Sequence, residues 1–349
     1  MRIGITGSSS FIGRNLIVHL KSINQVPILF SGDICNPADV AEFTKSCDVI
    51  YHLAGCNRGE HKDVYGVNMI GGANILAAAA VLGNRHIIFP SSNFIIRQPD
   101  NPYSIGKMAV ERMLNNIAGY KDTKASIFRI PNTYGINSFP FHVSVVATFC
   151  WYVANNRGDE ITMTGDGSQV VEFTPVRNVI KHFADALTQS DSFIISVIHG
   201  EAISIKELAQ IVKDPDKRAK NPDIDQIITF FMNKIPLDTY TAIQVLVSGS
   251  TLSIVKGDSS EPLLLNIDNK IVINPGYNRS EYHKINQEQY AYLETGNLAI
   301  DIYDHIGDYL NTILLEYNKV VAIRLTAHYQ YRFRSVSSTP AVFSLFHAK

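Results

Sequence analysis

The sequence predicts an α/β chain: a doubly wound parallel sheet with helices on both faces, followed by an all-β region. Over the first 135 residues, short apolar strands alternate with amphipathic helices, a pattern typical of parallel sheets. After about residue 245, helical periodicity gives way to short β-prone runs separated by glycine, asparagine and serine. We therefore predict two domains, covering residues 1–245 and 246–349.

The N-terminal elements follow from the spacing of apolar residues. Leu16, Ile17 and Leu20 recur at helical spacing, whereas residues 48–54 read as a buried strand. The predicted strands cover residues 2–6, 27–30, 48–54, 86–89 and 126–129. The predicted helices cover residues 14–21, 38–45 and 67–82, and a further helix starts at Asn101-Pro102.

Four small or polar residues follow the ends of predicted strands: Gly7, Gly55, Ser92 and Pro131. Parallel doubly wound sheets bind their ligands at the carboxyl ends of the strands. We therefore expect these four positions to converge on one crevice, which is the predicted ligand site.

The C-terminal region contains several short β-prone runs with turn residues between them. Short strands at such spacing predict a β-sandwich or a jelly roll. The runs cover residues 263–267, 270–273, 290–293, 298–302, 320–323 and 342–346.

Composition is typical of a globular protein, with 46% hydrophobic and 18% charged residues among 349. A net charge of −1 gives no basic field, so we expect neither a nucleic-acid partner nor an anionic membrane surface. We expect that no apolar run reaches the length needed to span a bilayer, and the N-terminus does not read as a secretory signal. The four cysteines show neither metal-site nor disulfide spacing, which predicts reduced thiols in a cytoplasmic protein.

Tyr103 stands four residues before Lys107 on a predicted helix, which places a phenol and an ammonium side by side. A nearby ammonium favours the phenolate, so we expect Lys107 to lower the pKa of Tyr103. The Y-x-x-x-K spacing is common on helix surfaces, but here it has two companions. One is a glycine-rich turn near the N-terminus, and the other is the Ser91-Ser92 pair at the end of a strand. Together the three features predict a hydride-transfer site.

Residues 7–13 form the glycine-rich turn between the first strand and the first helix. Gly7 allows a tight turn and Gly13 lets the helix pack closely, so the helix N-terminus can bind a pyrophosphate. Ser10 stands where the usual fingerprint has its middle glycine, and a plain strand–helix turn is the alternative. Asp33 follows the second strand and can accept from ribose hydroxyls while repelling a 2′-phosphate, which favours NAD over NADP. A turn-forming or helix-capping aspartate is the alternative for Asp33.

Six ordered motifs resemble the extended short-chain dehydrogenase/reductases (SDRs), in particular the nucleotide-sugar epimerase/dehydratase group. They are Thr6-Gly7 with Phe11-Ile12-Gly13, His52-Leu53-Ala54-Gly55, Asn68, Ser91-Ser92, Tyr103 to Lys107, and Arg129 to Gly135. The resemblance covers residues 1 to about 240 and implies a Rossmann domain that binds NAD(H) or NADP(H). The implied cofactor-binding residues are Gly7, Ser10, Phe11, Ile12, Gly13, Asp33, Ala54, Gly55, Lys107 and Pro131.

A closer resemblance is to the CapF-like capsular polysaccharide enzymes, in which an SDR is fused to a cupin. It rests on residues 52–61, 100–103 and 147–150. It implies an NADPH-dependent reductase of a UDP-linked keto-sugar, acting in the synthesis of UDP-N-acetyl-L-fucosamine. Arg58 and His61 become candidates for substrate contact, and a solvated loop is the alternative for both.

The implied catalytic residues are Ser92, Tyr103 and Lys107. Tyr103 would donate a proton to the substrate carbonyl oxygen, and Ser92 would hydrogen-bond the same oxygen. Lys107 would also bind the nicotinamide ribose, and Asn132 is a candidate for substrate contact or for capping a loop. Most extended SDRs carry a phosphate-binding arginine where this chain has Val171, so the substrate phosphates must be bound by other residues.

The region from Gly276 to Gly296 resembles the first cupin motif, whose metal ligands are two histidines and a glutamate. Glu281 replaces the first histidine, and Tyr331 stands where a later histidine is expected. His283 and Glu288 remain as weak candidate ligands, which are too few for tight divalent binding, so no metal is expected. Dimerisation or sugar binding is then the expected role of this domain, and a homodimer is the expected assembly.

Three functions fit these residues. The first is an NAD(P)H-dependent reductase of a nucleotide-activated keto-sugar of the UDP-4-keto-6-deoxy-hexose type, in surface polysaccharide biosynthesis. The second is a nucleotide-sugar 4-epimerase or dehydratase that retains its NAD through the catalytic cycle. The third is a non-catalytic scaffold that binds sugar nucleotides; the serine, tyrosine and lysine set argues against it for the first domain.

Overall fold

A computed structural model gives the fold of the chain. It describes residues 1–57, 61–83, 85–142, 144–233, 239–240, 246–248, 251–254, 263–274, 283–285, 288–317, 319 and 322–348. The chain forms two compact units, one of Met1–Ser138 with Ile161–Ile224 and the other of Phe139–Glu160 with Asp225–Lys349. Residues 241–245 lie outside the described part, so the predicted boundary at 245 stays a prediction. The presence of Phe139–Glu160 in the second unit is a feature that the sequence pattern does not predict.

The helices begin mostly at N-capping residues or at prolines, as expected for helix starts. In chain order they are α1 (Phe11–Ser22), α2 (Pro37–Lys45), α3 (His61–Tyr65), α4 (Gly71–Leu82), α5 (Phe94–Arg97), α6 (Pro102–Ile117), α7 (Val145–Ala154), α8 (Val176–Ala186), α9 (Ile205–Lys213), α10 (Pro215–Arg218) and α11 (Pro222–Met232). A π-helical segment, Gly66–Ile70, joins α3 to α4 without a break.

The first unit contains nine strands in its described residues. They are β1 (Ile3–Thr6), β2 (Ile28–Leu29), β3 (Val49–His52), β4 (His86–Ser92), β5 (Lys124–Ile130), β6 (Asn132–Tyr134), β7 (Val170–Pro175), β8 (Phe193–Val197) and β9 (Glu201–Ser204). Six of them form a parallel sheet in the order β2-β1-β3-β4-β5-β8, which confirms the predicted doubly wound architecture. A smaller sheet, β6-β7-β9, pairs β6 with β7 in parallel and β7 with β9 in antiparallel.

Helices cover both faces of the parallel sheet. On one face, α1 and α8 bury Leu16, Leu20 and Phe183 against the strands. On the other face, α2, α4 and α6 contribute to a second core that includes Ile75 and Leu114. Burial on both faces explains why the strands read as continuous apolar runs in the sequence.

The expectation about apolar length needs a correction. The continuous helix His61–Leu82 has 22 residues and is long and apolar enough, by length and composition, to cross a bilayer. Its second half packs in the core of the first unit, where Ile75, Leu76 and Ala79 are buried against α2 and α6. Packing inside the unit therefore accounts for the buried face of this helix, whereas Ile70, Val81 and Leu82 are exposed.

The second unit is built from antiparallel sheets, as predicted. Its strands are β10 (Thr239–Tyr240), β11 (Leu246–Ser248), β12 (Thr251–Ile254), β13 (Leu263–Ile273), β14 (His283–Lys284), β15 (Gln289–Thr295), β16 (Asn297–Tyr303), β17 (Tyr309–Glu316), β18 (Ala322–Leu325), β19 (Gln330–Ser335) and β20 (Ala341–Ala348). They form one sheet in the order β10-β18-β15-β20-β13-β12-β11 and another in the order β14-β19-β16-β17. Apolar side chains of both sheets share one core, which includes Leu293, Ile300, Phe333 and Phe343.

A buried ionic network ties α7 and its preceding loop to these strands. Asp301 of β16 is fully buried, and its carboxylate binds Arg334 at 2.6 Å and Arg332 at 3.2 Å. The Arg334 guanidinium also donates to the carbonyl oxygen of Pro140 at 3.0 Å. From α7, Trp151 Nε1 donates to the carbonyl oxygen of Thr312 at 2.8 Å.

Candidate functional site

The turn after β1 has the geometry of a phosphate-binding loop. Gly7 has a φ of +66°, and a Cβ built there would lie 2.6 Å from Ala54 N, so a side chain does not fit. A Cβ on Gly13 would lie 2.5 Å from the carbonyl oxygen of Gly7. These contacts explain both glycines by close approach of backbone to backbone.

Ser10 is the N-cap of α1, and its Oγ accepts a hydrogen bond from Gly13 N at 3.1 Å. The missing middle glycine is thus replaced by a capping serine. By helix geometry, the N–H groups of Phe11 and Ile12 have no carbonyl partner within α1. These two N–H groups, together with the dipole of a 12-residue helix, can bind a phosphate.

Thr6 and His52 fix the strand ends beside this turn. Thr6 Oγ1 lies 2.9 Å from His52 Nδ1 and accepts from Ala54 N at 3.1 Å. His52 is buried. Burial is the main cause that lowers its pKa to about 3, and the positive charge of Lys107 adds to it, so the ring is neutral at physiological pH. Both residues belong to short motifs of the sequence, which do not by themselves indicate this structural role.

Ser92, Tyr103 and Lys107 come together at the carboxyl end of β4. Ser92 is the last residue of that strand, and its side chain lies close enough to the Tyr103 phenol to affect the pKa of that phenol. Lys107 is buried on α6, and its Nζ lies 5.7 Å from the centre of the Tyr103 ring. Lys107 Nζ also donates to the carbonyl oxygen of Pro90 at 2.9 Å. The three predicted residues therefore share one site.

The expectation that the pKa of Tyr103 is lowered is wrong, because the pKa is raised. Burial raises the pKa of Tyr103 to about 12, and the nearby Ser92 side chain only partly offsets this. Burial also lowers the pKa of Lys107 to about 8, although the nearby carboxylate of Glu111 raises it. The sequence shows the spacing of phenol and ammonium but not their removal from water, which dominates here.

The Gly55–Cys56 turn is held next to Lys107 by a side-chain amide. Asn68 Nδ2 donates to the carbonyl oxygen of Cys56 at 2.7 Å, and Asn68 Oδ1 accepts from Cys56 N at 3.1 Å. Asn68 lies in the π-helical segment, a helix type found often at functional sites. A Cβ on Gly55 would lie 3.8 Å from Lys107 Nζ, so this turn borders Lys107.

Two predicted cofactor residues lie in turns at the ends of other strands. Asp33 is exposed, and its Oδ1 accepts from Cys35 N at 2.9 Å, so it does form the turn that was the alternative reading. Pro131 is buried between β5 and β6, and its carbonyl oxygen accepts from the Thr133 hydroxyl.

The candidate substrate residues are more scattered. His61 is exposed on the first turn of α3, with its ring edge-on to Tyr65. Asn132 is exposed on β6, where it pairs with Phe173 of β7. Arg58 lies outside the described residues.

Val171, which departs from the family pattern, lies one element before Arg177 in the first unit. Val171 is half-buried on β7, opposite Ile203 of β9. Arg177, in the first turn of α8, forms an ion pair with Asp223 at 2.8 Å. A polar cavity of about 310 Å³ lies beside this pair and is lined by Tyr134, Asn178 and other residues of the first unit.

In the second unit the weak metal candidates have protein partners. His283 Nε2 lies 2.8 Å from Gln289 Oε1, and the Glu288 carboxylate binds Arg324 and the Tyr290 hydroxyl. Tyr331 pairs with His283 across β14 and β19, and its hydroxyl accepts from Thr326 N. Glu281 lies outside the described residues, and within the described ones no cluster of three or more metal-binding side chains occurs.

Comparison with known proteins agrees with this geometry. The profile of the NAD dependent epimerase/dehydratase family matches residues 3–198, which is more than half of the chain. The chain is 31% identical over 207 residues to a UDP-2-acetamido-2,6-beta-L-arabino-hexul-4-ose reductase of Pseudomonas aeruginosa. That alignment covers 56% of this chain and 55% of the relative, so it spans about half of the relative's length.

Two solved structures show the same fold. The UDP-glucose 4-epimerase of Thermus thermophilus in complex with NAD matches 67% of this chain and all of its own, with a TM-score of 0.57 and 19% identity. The capsular polysaccharide assembling protein CapF of Staphylococcus aureus matches 99% of this chain and 95% of its own, with a TM-score of 0.54 and 19% identity. The second comparison includes both units, so the order of an α/β unit and a β unit is shared along the chain.

Proposed function

Because this chain belongs to the NAD dependent epimerase/dehydratase family, we propose that it is an NAD(P)H-dependent reductase. Its proposed substrate is a nucleotide-activated keto-sugar of the UDP-4-keto-6-deoxy-hexose type, and its proposed setting is surface polysaccharide biosynthesis in the cytoplasm. The observation that carries the proposal is the meeting of Ser92, Tyr103 and Lys107 beside the glycine-rich turn. The reductase named for the Pseudomonas relative supports the choice of reaction.

The first unit fits a nicotinamide dinucleotide. The approach of Gly7 to the backbone of Ala54 leaves a cradle at the helix N-terminus, where Phe11 and Ile12 can donate to the pyrophosphate. Gly55 and Pro131 line the same edge of the sheet, and Lys107 lies there to bind a ribose. When bound, the cofactor supplies the hydride for reduction.

In the proposed reaction, side chains of this chain supply the proton that the carbonyl oxygen receives. Reduction adds a hydride to the carbonyl carbon and a proton to the carbonyl oxygen, which gives an alcohol and oxidised cofactor. Tyr103, whose pKa is raised to about 12, is protonated at neutral pH and can therefore act as the general acid. Ser92 orients the phenol and can donate to the same oxygen as negative charge develops on it. The Lys107 ammonium adds positive charge close to the phenol as the proton leaves.

The choice between NADH and NADPH rests on Asp33. An exposed carboxylate beyond β2 can accept from ribose hydroxyls and repels a 2′-phosphate, so we propose a preference for NADH. Fluorescence titration with both cofactors tests this. A clear NADPH preference, unchanged in Asp33→Asn, would contradict the role of Asp33.

The reaction is tested with a panel of UDP- and dTDP-linked 4-keto-6-deoxy sugars, each offered with NADH or NADPH. The proposal expects cofactor oxidation matched by a product that is heavier by two hydrogens in mass spectrometry. Interconversion of sugars without net cofactor consumption, by protein purified with bound NAD, would establish an epimerase instead. Binding of these sugars without turnover of any of them would indicate a non-catalytic scaffold.

A further inference from the structure

A carboxylate of the small sheet reaches the turn that presents Ser92. Glu172 lies on β7, and its Oε2 accepts a hydrogen bond from Asn93 Nδ2 at 3.3 Å. Its Oε1 accepts from Gly200 N at 2.8 Å, in the loop before β9. The Glu172 side chain is only 19% exposed. One carboxylate thus joins three separate segments of the first unit.

Asn93 directly follows Ser92 and determines how the chain leaves β4. Its backbone N–H donates to the carbonyl oxygen of Ile130 at 2.9 Å, at the end of the neighbouring strand β5. One residue further, Phe94 N donates to Ser92 Oγ at 3.1 Å. The orientation of the Ser92 hydroxyl therefore depends on the conformation of the 92–94 turn.

Only the nitrogen of the Asn93 side-chain amide has a hydrogen-bond partner among the described residues. Its Oδ1 is buried and has no hydrogen-bond partner among the described residues, whereas its Nδ2 binds Glu172. An unpaired buried acceptor is unfavourable, so the turn alone gives no reason for this side-chain orientation. A hydrogen bond to a carboxylate is stronger than one to a neutral acceptor and can hold the amide in place.

Building on the proposed reductase function, we propose that Glu172 is a positioning residue for the reaction. Through Asn93 it fixes the turn that sets the Ser92 hydroxyl against the Tyr103 phenol. It touches neither Ser92 nor Tyr103 in the described contacts, so its effect on turnover must pass through Asn93. Nothing in the motifs of the sequence points to Glu172, because β7 is brought to β4 only by the fold.

Kinetics of variants test this role. We expect Glu172→Ala to lower kcat roughly 10- to 100-fold while the KM for the sugar and the cofactor Kd change little, since binding groups stay in place. Asn93→Ala should lower kcat by a similar factor, and the double variant should be no worse than the poorer single variant. Additive losses would overturn the inference, because they would mean that the two residues act separately.

Two further variants separate positioning from general structure. Glu172→Gln can accept from Gly200 N and donate to the unpaired Asn93 Oδ1, so it should restore most of the kcat. Glu201→Ala removes an exposed carboxylate from the adjacent strand β9 and should leave kcat unchanged. A lower melting temperature in Glu172→Ala with wild-type kcat would assign the residue to stability alone.

A measurement without turnover keeps this inference distinct from the proposed function. In protein with ¹⁵N-labelled asparagine, the side-chain amide signal of Asn93 should shift in Glu172→Ala and stay in place in Glu201→Ala. Asn93→Ala assigns the signal by its disappearance. An unmoved Asn93 signal refutes the contact even if the wild type is a reductase. A shifted signal in a protein that reduces no keto-sugar supports the contact while the proposed reaction fails.

Discussion

At the scale of single residues, the hydroxyl group of Tyr103 is the group that the proposed mechanism depends on. Tyr103→Phe removes the proposed proton donor but keeps the ring, so we expect turnover to fall by roughly 10²- to 10⁴-fold with cofactor affinity nearly unchanged. Tyr120→Phe, which alters an exposed tyrosine, is the matched control and should be active. Near-normal turnover of Tyr103→Phe under saturating substrate would remove Tyr103 from the mechanism.

Lys107 carries a stability cost that depends on pH. Burial lowers its pKa from 10.5 to about 8 in the folded protein, so the unfolded chain binds more protons between these two values. The cost of burying Lys107 therefore falls as pH increases from 8 to 10.5. The free energy of unfolding rises over this range by on the order of 3 kcal/mol at most. We expect wild type to gain melting temperature relative to Lys107→Met over that window, measured without cofactor. Parallel pH profiles of the two proteins would show that Lys107 is not desolvated.

The residue types of the candidate site were predictable, but their pKa values were not. Gly7, Ser92, Tyr103 and Lys107 are visible in the sequence because each belongs to a short local motif. The direction of the Tyr103 pKa depends on how much water the fold excludes, and that depends on residues far along the chain.

At the scale of elements, the close packing of the β1–α1 turn allows a prediction about cofactor affinity. In Gly7→Ala, an alanine must adopt the left-handed backbone conformation of Gly7, and its methyl group would clash with the backbone of Ala54. The turn must therefore move. We expect cofactor affinity to fall at least tenfold, by titration of NADH fluorescence. Gly165→Ala is the matched control: its φ is +62° but no atom lies within 4 Å of the added Cβ. That variant should lose about 1 kcal/mol of stability and keep its cofactor affinity.

The β14–β15 region supports a prediction about metal. His283 and Glu288 are each hydrogen-bonded to other side chains, which leaves them poorly placed to coordinate an ion. Elemental analysis of protein purified without chelator should give well under one metal per chain. Stoichiometric zinc that disappears in His283→Ala would restore a metal-dependent role to this unit.

Helices and strands were largely predictable because apolar periodicity is local. The strand predicted at 86–89 runs on to Ser92, and the helix predicted at 67–82 continues from His61. The assignment of α7 was not predictable, because its apolar residues are equally compatible with either unit. The hydrogen bond that joins α7 to the second unit is made to Thr312, 161 residues after Trp151.

At the scale of the whole molecule, the Asp301 network stabilises the second unit. Burial opposes ionisation of Asp301, but Arg334 and Arg332 outweigh it and hold the pKa near 2. Asp301→Asn leaves two guanidinium groups without their counter-charge, so we expect a loss of about 3–5 kcal/mol. Trp151, the single tryptophan of the chain, lies in this unit and reports its unfolding by fluorescence in urea. Asp308→Asn, at an exposed carboxylate, is the control; equal midpoints for both variants would contradict the role of the network.

The discontinuity of the second unit has a consequence for synthesis of the protein on the ribosome. Trp151 is made 161 residues before Thr312, its hydrogen-bond partner. At roughly 5–20 residues per second, Trp151 waits about 10–30 s for the strand that carries Thr312. During that time Trp151, which is buried in the finished fold, lacks the carbonyl group to which it donates. A chain terminated after residue 245 never gains that strand, and it should aggregate or require a chaperone although its parallel sheet is complete.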